Sequence, residues 1–74
     1  MKEVKFDYSK LEGYMKEHHI TQKELSKKTG ISIVTINQNI KTGRAFRVEN
    51  IISMVKALGI NSIDISYYFF RQKV

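Results

Sequence analysis

Three groups of side chains in this 74-residue sequence are of types that could do chemistry. The first is the adjacent pair His18 and His19. Two imidazoles can ligate a metal, but neighbouring helical positions point about 100° apart and cannot converge on one ion. No cysteine is present to complete a ligand set or to act as a nucleophile, so the sequence predicts neither metal nor cofactor. The second is the pair of carboxylates Asp7 and Asp64, which read as surface or cap residues. No glycine-rich phosphate loop and no Ser/His/Asp arrangement accompanies them, so no enzyme is expected. The third group is a run of cations. Over residues 21–47, six bases (Lys23, Lys27, Lys28, Lys41, Arg44, Arg47) face the single acid Glu24, which places +5 of the total +6 charge in one stretch. Such a stripe attracts polyanions, of which nucleic acid is the commonest in a cell. A solvated surface that keeps a small protein soluble is the competing explanation.

The elements that must position these cations can be read from helix punctuation. Ser9 with Glu12, and Thr21 with Glu24, have the spacing of capping boxes. Leu11, Tyr14, Met15 and His18 then fall at helical spacing, which predicts a first helix over residues 9–18. A second, short helix runs from Thr21 to a stop at Gly30, with Leu25 and the small Ser26 turned inward. Ser32 can cap a third helix that carries Ile36 and Ile40 on its buried face and ends at Gly43. Ile51, Ile52, Val55 and Leu58 form the stripe of a fourth, closed by Gly59. Asn61 or Ser62 can cap a last short helix through Ile65, leaving Tyr67, Tyr68, Phe69 and Phe70 beyond it. Val4, Phe6 and Tyr8 alternate like a strand, which could pair with that aromatic tail. The predicted core is Leu11, Met15, Leu25, Ile36, Ile40, Val55 and Leu58.

Composition agrees with one small globular domain over residues 1–74, with an arm over 1–8 and an aromatic tail over 61–74. The chain is 42% hydrophobic and 27% charged, with four glycines and no proline. At this length a fold buries only roughly 60% of its unfolded surface, too little for a deep catalytic cleft. The longest apolar runs fall far short of the roughly 18 residues of a spanning helix. No secretory signal opens the sequence and no disulfide can form, so the expected compartment is the reducing cytoplasm. The fold class expected is all-α: a bundle of four or five short helices, with short terminal strands as an option.

The informative unit is the pair of short helices joined at Thr29, Gly30, Ile31 and Ser32, a connection that suits a helix-turn-helix. Residues 20–32, followed by Thr35 and Ile36, resemble the helix-turn-helix of the Cro/repressor (XRE-like) family of bacterial and phage regulators. Residues 36–44 are similar to the recognition helix of the shorter Cro proteins, and residues 57–60 look like the family's fourth-helix ending. The likeness spans residues 11–60. It implies a lambda-repressor-like bundle, a transcriptional repressor of a bacterium, phage or prophage, and a homodimer on a double-stranded DNA operator.

By that resemblance, Gln22 takes the place of a phosphate-contacting glutamine at the start of the second helix. Residues 32–42 become the recognition helix, with Ile33, Val34, Asn37 and Gln38 as base contacts. Lys23, Ser32, Thr35, Lys41, Arg44 and Arg47 join Gln22 as backbone contacts. Asn37 and Gln38 carry amides that can pair with adenine N6 and N7, whereas Ile33 and Val34 can touch only a thymine methyl. The family often places polar residues at those two apolar sites, and this departure supports a different class of function on the same fold. That alternative is a protein-interaction module, an antitoxin or modulator with a second repressor as its partner. For Tyr67, Tyr68, Phe69 and Phe70 two uses stand side by side: closing the small core over the first helix, or forming a dimer contact.

Overall fold

A computed structural model describes residues 4–73. It contains five α-helices in chain order: α1 Ser9–Glu17, α2 Gln22–Thr29, α3 Ile33–Thr42, α4 Val48–Leu58 and α5 Ile65–Phe69, with a 3-10 turn over Ser62–Asp64 before α5. The architecture is all-α, as the punctuation predicts. The only pairing of strand type among the described residues is one antiparallel bridge between Phe6 and Gln72, so the alternating segment Val4, Phe6, Tyr8 does not grow into a strand.

Five of the helix boundaries follow the caps read from the sequence. Thr21 and Glu24 form the reciprocal box at the start of α2. Ser32 accepts from the Val34 amide at 3.2 Å. Gly30, Gly43 and Gly59 close α2, α3 and α4 in left-handed conformation. At α1 the expected box fails: Ser9 is the first helical residue, and the Asp7 carboxylate accepts from its amide at 2.9 Å. An ionised carboxylate at this point also suits the positive end of the helix. The bond from the Ser9 amide, with the Ser9 hydroxyl second, holds the Asp7 carboxyl below its usual range.

The core is smaller on α3 and α4, and more aromatic, than the stripes suggest. Leu11, Leu25, Ile36, Met54 and Phe69 are fully buried, while Ile40 and Val55 are only partly covered. On α4 the inward stripe runs through Ile51, Met54 and Leu58, and Ile52 is 49% exposed. Both registers satisfy a helical period, and only the contact with α2 decides between them. The last helix runs on past Ile65, and α5 takes in Tyr67, Tyr68 and Phe69 of the aromatic run. Its Phe69 meets Phe46 edge-on at 6.1 Å, and Phe46 in turn meets Tyr8 at 5.3 Å. Tyr68 packs edge-on against Tyr14 of α1 at 5.3 Å. The tail therefore closes the core over α1. Phe69, 1% exposed, is unavailable to a partner, and Tyr68 is half-buried. Tyr67 and Phe70 remain exposed.

The two chain ends meet at the end of α3. The Phe6 amide donates to the Gly43 carbonyl at 2.8 Å, the Asp7 amide to Arg71 at 2.7 Å, and the Lys73 amide to Lys5 at 2.8 Å. Gly43 is required twice over. Its φ is +80°, and a Cβ there would stand 2.8 Å from the Phe6 carbonyl oxygen. The Tyr8 hydroxyl reaches the same region, donating to the Arg44 carbonyl at 2.7 Å from a ring that is 2% exposed. Burial pushes this phenol up to about 12.

Two measurements check this arrangement. Gly30 also has positive φ (+77°), but a Cβ there meets nothing within 4 Å. Gly43→Ala should therefore cost about 2 kcal/mol or more and Gly30→Ala about 1 kcal/mol, read as denaturation midpoints; equal losses would remove the close approach from the account. The raised Tyr8 phenol favours the folded state only while it is protonated. Stability should hold below the ordinary phenol value near 10 and fall as pH rises through about 12. Tyr8→Phe should blunt that alkaline loss, and an unchanged pH profile would assign it elsewhere.

Candidate nucleic-acid interface

The turn between α2 and α3 is built by side chains of α2 itself. Ser26 donates its hydroxyl to the Ile31 carbonyl. Thr29 donates to the Leu25 carbonyl at 2.7 Å and accepts from the Ile31 amide at 3.2 Å. Ile31 is buried between them and anchors the turn to the core. With the polar groups of the turn bonded and its one apolar side chain inside, α3 leaves α2 in a fixed direction.

α3 then divides sharply. Ile36 and Asn39 are buried. Ile33, Val34, Asn37, Gln38 and Lys41 are exposed, and at about 100° per residue they occupy one arc of roughly 140°. Neither α3 nor its exposed arc contains an acid. Ser32 and Thr35 are exposed at the N-terminal end of α3 but outside this arc, and Arg44 lies exposed just past the C-terminal end of the helix.

The start of α2 joins the same surface. Asn37 donates its amide to the Gln22 side-chain carbonyl at 3.3 Å. This bond occupies the acceptor of Gln22 and leaves its NH2 group to donate outward. It also holds Asn37 in place against α2, which leaves Gln38 the less constrained of the two amides. Lys23 is exposed on the first turn of α2. Arg47 lies at the start of α4, 3.8 Å from Glu49, with both side chains largely exposed; a pair of that kind is worth at most about 1 kcal/mol and yields readily to a stronger anion.

The sequence-predicted residues thus form one continuous group from Gln22 through Arg44, with Arg47 partly engaged at its margin. What the sequence reading lacked was the support behind this group. Tyr8 fixes the Arg44 backbone, and the buried Asn39 shares a cleft of about 320 Å³ with Val4, Lys5, Gln38, Thr42, Gly43 and Arg44. The alternation of Val4, Phe6 and Tyr8 signals only part of this: Tyr8 is buried and Phe6 partly so, whereas Val4 is 57% exposed.

The other groups singled out in the sequence have structural places. His18 stacks on Tyr14 with ring centroids 4.2 Å apart, and His19 closes α1 at φ +56°. Among the described residues no three His, Cys, Asp or Glu side chains could hold a metal ion, and no helix is long and apolar enough to cross a membrane. The arc of α3 offers amide donors and acceptors beside apolar side chains, with cations at its margins. Chemically it can hydrogen-bond and pack against a polar, negatively charged surface.

No curated protein matches this chain. Residues 4–72, nearly the whole length, match the model of a family described as a protein of unknown function (DUF739), and the chain belongs to that family.

Proposed function

We propose that this chain is a sequence-specific repressor that binds double-stranded DNA as a two-fold dimer, in the manner of the Cro/repressor regulators that its helix pair resembles. The observation that carries the reading is the acid-free exposed arc of α3, with Ile33, Val34, Asn37 and Gln38 at its centre and Lys41 and Arg44 at its end. A helix of about 10–12 Å diameter fits the major groove of about 12 Å. In that groove Gln38 pairs with a base edge, and Ile33 and Val34 lie against thymine methyl groups.

The backbone contacts follow from the charge and from α2. The outward NH2 of Gln22 and the positive end of α2 bind one phosphate. Lys23, Ser32, Thr35, Lys41, Arg44 and Arg47 flank the groove, and the cations among them release counterions on binding. Two copies place their α3 helices about 34 Å apart on successive turns of one face of the duplex. The exposed tail residues Tyr67 and Phe70 are the members of the aromatic run available to the dimer contact. Repression then comes from occupying promoter DNA.

A second reading, a protein-interaction module that binds another repressor, is favoured by one feature. Val48 and Ile52, one turn apart on α4, are 71% and 49% exposed, adding apolar surface to that of Ile33 and Val34. A lone chain that shifts operator DNA by itself weighs against it.

Paired substitutions test the roles. Gln38→Ala should weaken binding to the preferred duplex by about 1–3 kcal/mol while sparing random DNA; equal loss on both would remove Gln38 from base recognition. Lys41→Ala should weaken binding to every sequence and lower the salt slope by about 1, and an unchanged slope would remove its phosphate contact.

A further inference from the structure

The cleft beside the last turn of α3 has a composition that the helix pair alone does not explain. Its walls come from two parts of the chain. Gln38, Asn39, Thr42, Gly43 and Arg44 form one, and Val4 and Lys5 of the N-terminal segment form the other. It contains two cations and no acid. Lys5 is not placed there by chance packing of a loose arm. The amide of the next residue, Phe6, is bonded to Gly43, and the carbonyl of Lys5 itself accepts from Lys73. The space that Lys5 occupies is the space opened by Gly43, since a Cβ on Gly43 would stand 3.2 Å from the Lys5 Cβ.

The charges nearby sort into two sets. Asp7 faces Arg71 and Lys73, which help hold its carboxyl low, and Arg71 also lies 5.2 Å over the Tyr67 ring. Lys5 and Arg44 make no ion pair within 4 Å among the described residues. The chain ends therefore leave Lys5 and Arg44 together at the end of α3, on either side of a cleft that Gln38 helps to line.

Resting on the DNA reading above, we infer that Lys5 and Arg44 form a phosphate-binding site outside the helix pair, one that exists only because the two chain ends are paired at Gly43. The reach is right. A side chain that reads a base from within the groove has the phosphates of its lip only several ångströms further out, since the whole groove is about 12 Å wide. Lys5 shares a cleft with Gln38 and carries a flexible four-carbon stem, so its ammonium spans that distance. The site takes a backbone phosphate of any sequence, and it adds affinity without adding base preference.

The experiment is a salt titration of binding between about 50 and 200 mM, using the full chain and a short duplex of random sequence. Lys5→Ala should lower the slope of log affinity against log salt by about 1. Lys5→Gln, which retains the stem, should do the same, and both should melt like the parent because the backbone bonds at Phe6 and Lys73 need no Lys5 side chain. Lys10→Ala is the comparison, since Lys10 lines a separate groove with Tyr14, Tyr67 and Tyr68, and its slope should not move. If Lys5→Ala and Lys5→Gln leave the slope unchanged while the parent binds, the site is overturned and the DNA reading stands. An equal fall for Lys10→Ala would reduce the effect to overall charge and overturn the site too. A parent chain that binds no duplex, random or selected, overturns both.

Discussion

The position without a side chain at Gly43 is the constraint on which the rest of this small fold depends. It ends α3 in left-handed conformation and admits the N-terminal segment to within hydrogen-bond distance of its own carbonyl. From that contact the order spreads both ways along the segment. Tyr8 enters the core and bonds the Arg44 carbonyl, and Phe46 and Phe69 pack edge-on in turn behind it. Lys5 and Asp7 hold the C-terminal residues in an antiparallel bridge. A 74-residue chain has little apolar surface to bury, and here it uses its two ends as part of the core.

The consequence for α3 is rigidity at both of its ends. Its N-terminus leaves a turn whose polar groups are bonded by Ser26 and Thr29. Its C-terminus is clamped by Gly43 and by the Tyr8 hydroxyl on the residue beyond. A ten-residue helix has little stability of its own in water, so a fixed presentation of Asn37 and Gln38 has to come from these supports. Pre-organised side chains lose less entropy on binding any partner.

How much of this was legible in the sequence depends on the range of the interaction. Local rules read well: Thr21 with Glu24, Ser32, and the three closing glycines all act within four residues of the helix ends they control. The exposed arc of α3 followed from the same periodicity, and so did the inward face of α2. Where two local solutions competed, the reading failed. Ser9 with Glu12 has the spacing of a cap, but Asp7 two residues earlier supplies a charged acceptor, and the helix begins one residue earlier than a Ser9 cap requires. Met54 and Ile52 are both apolar at helical spacing, and only packing on α2 selects Met54. Non-local pairings gave no local sign. Tyr8 to Arg44 spans 36 residues and Tyr14 to Leu58 spans 44, and neither hydroxyl announces its partner. The pairing of the chain ends, and with it the place of Lys5, belongs to the same class.

The central claim is that the acid-free arc of α3 reads DNA sequence. Its most direct test is selection of a random duplex library on the purified chain at about 150 mM salt, a concentration at which nonspecific phosphate attraction is largely screened. The account predicts an enriched inverted repeat with half-sites about one helical turn apart. Recovery of no preferred sequence, with binding that fades as salt rises, would contradict it.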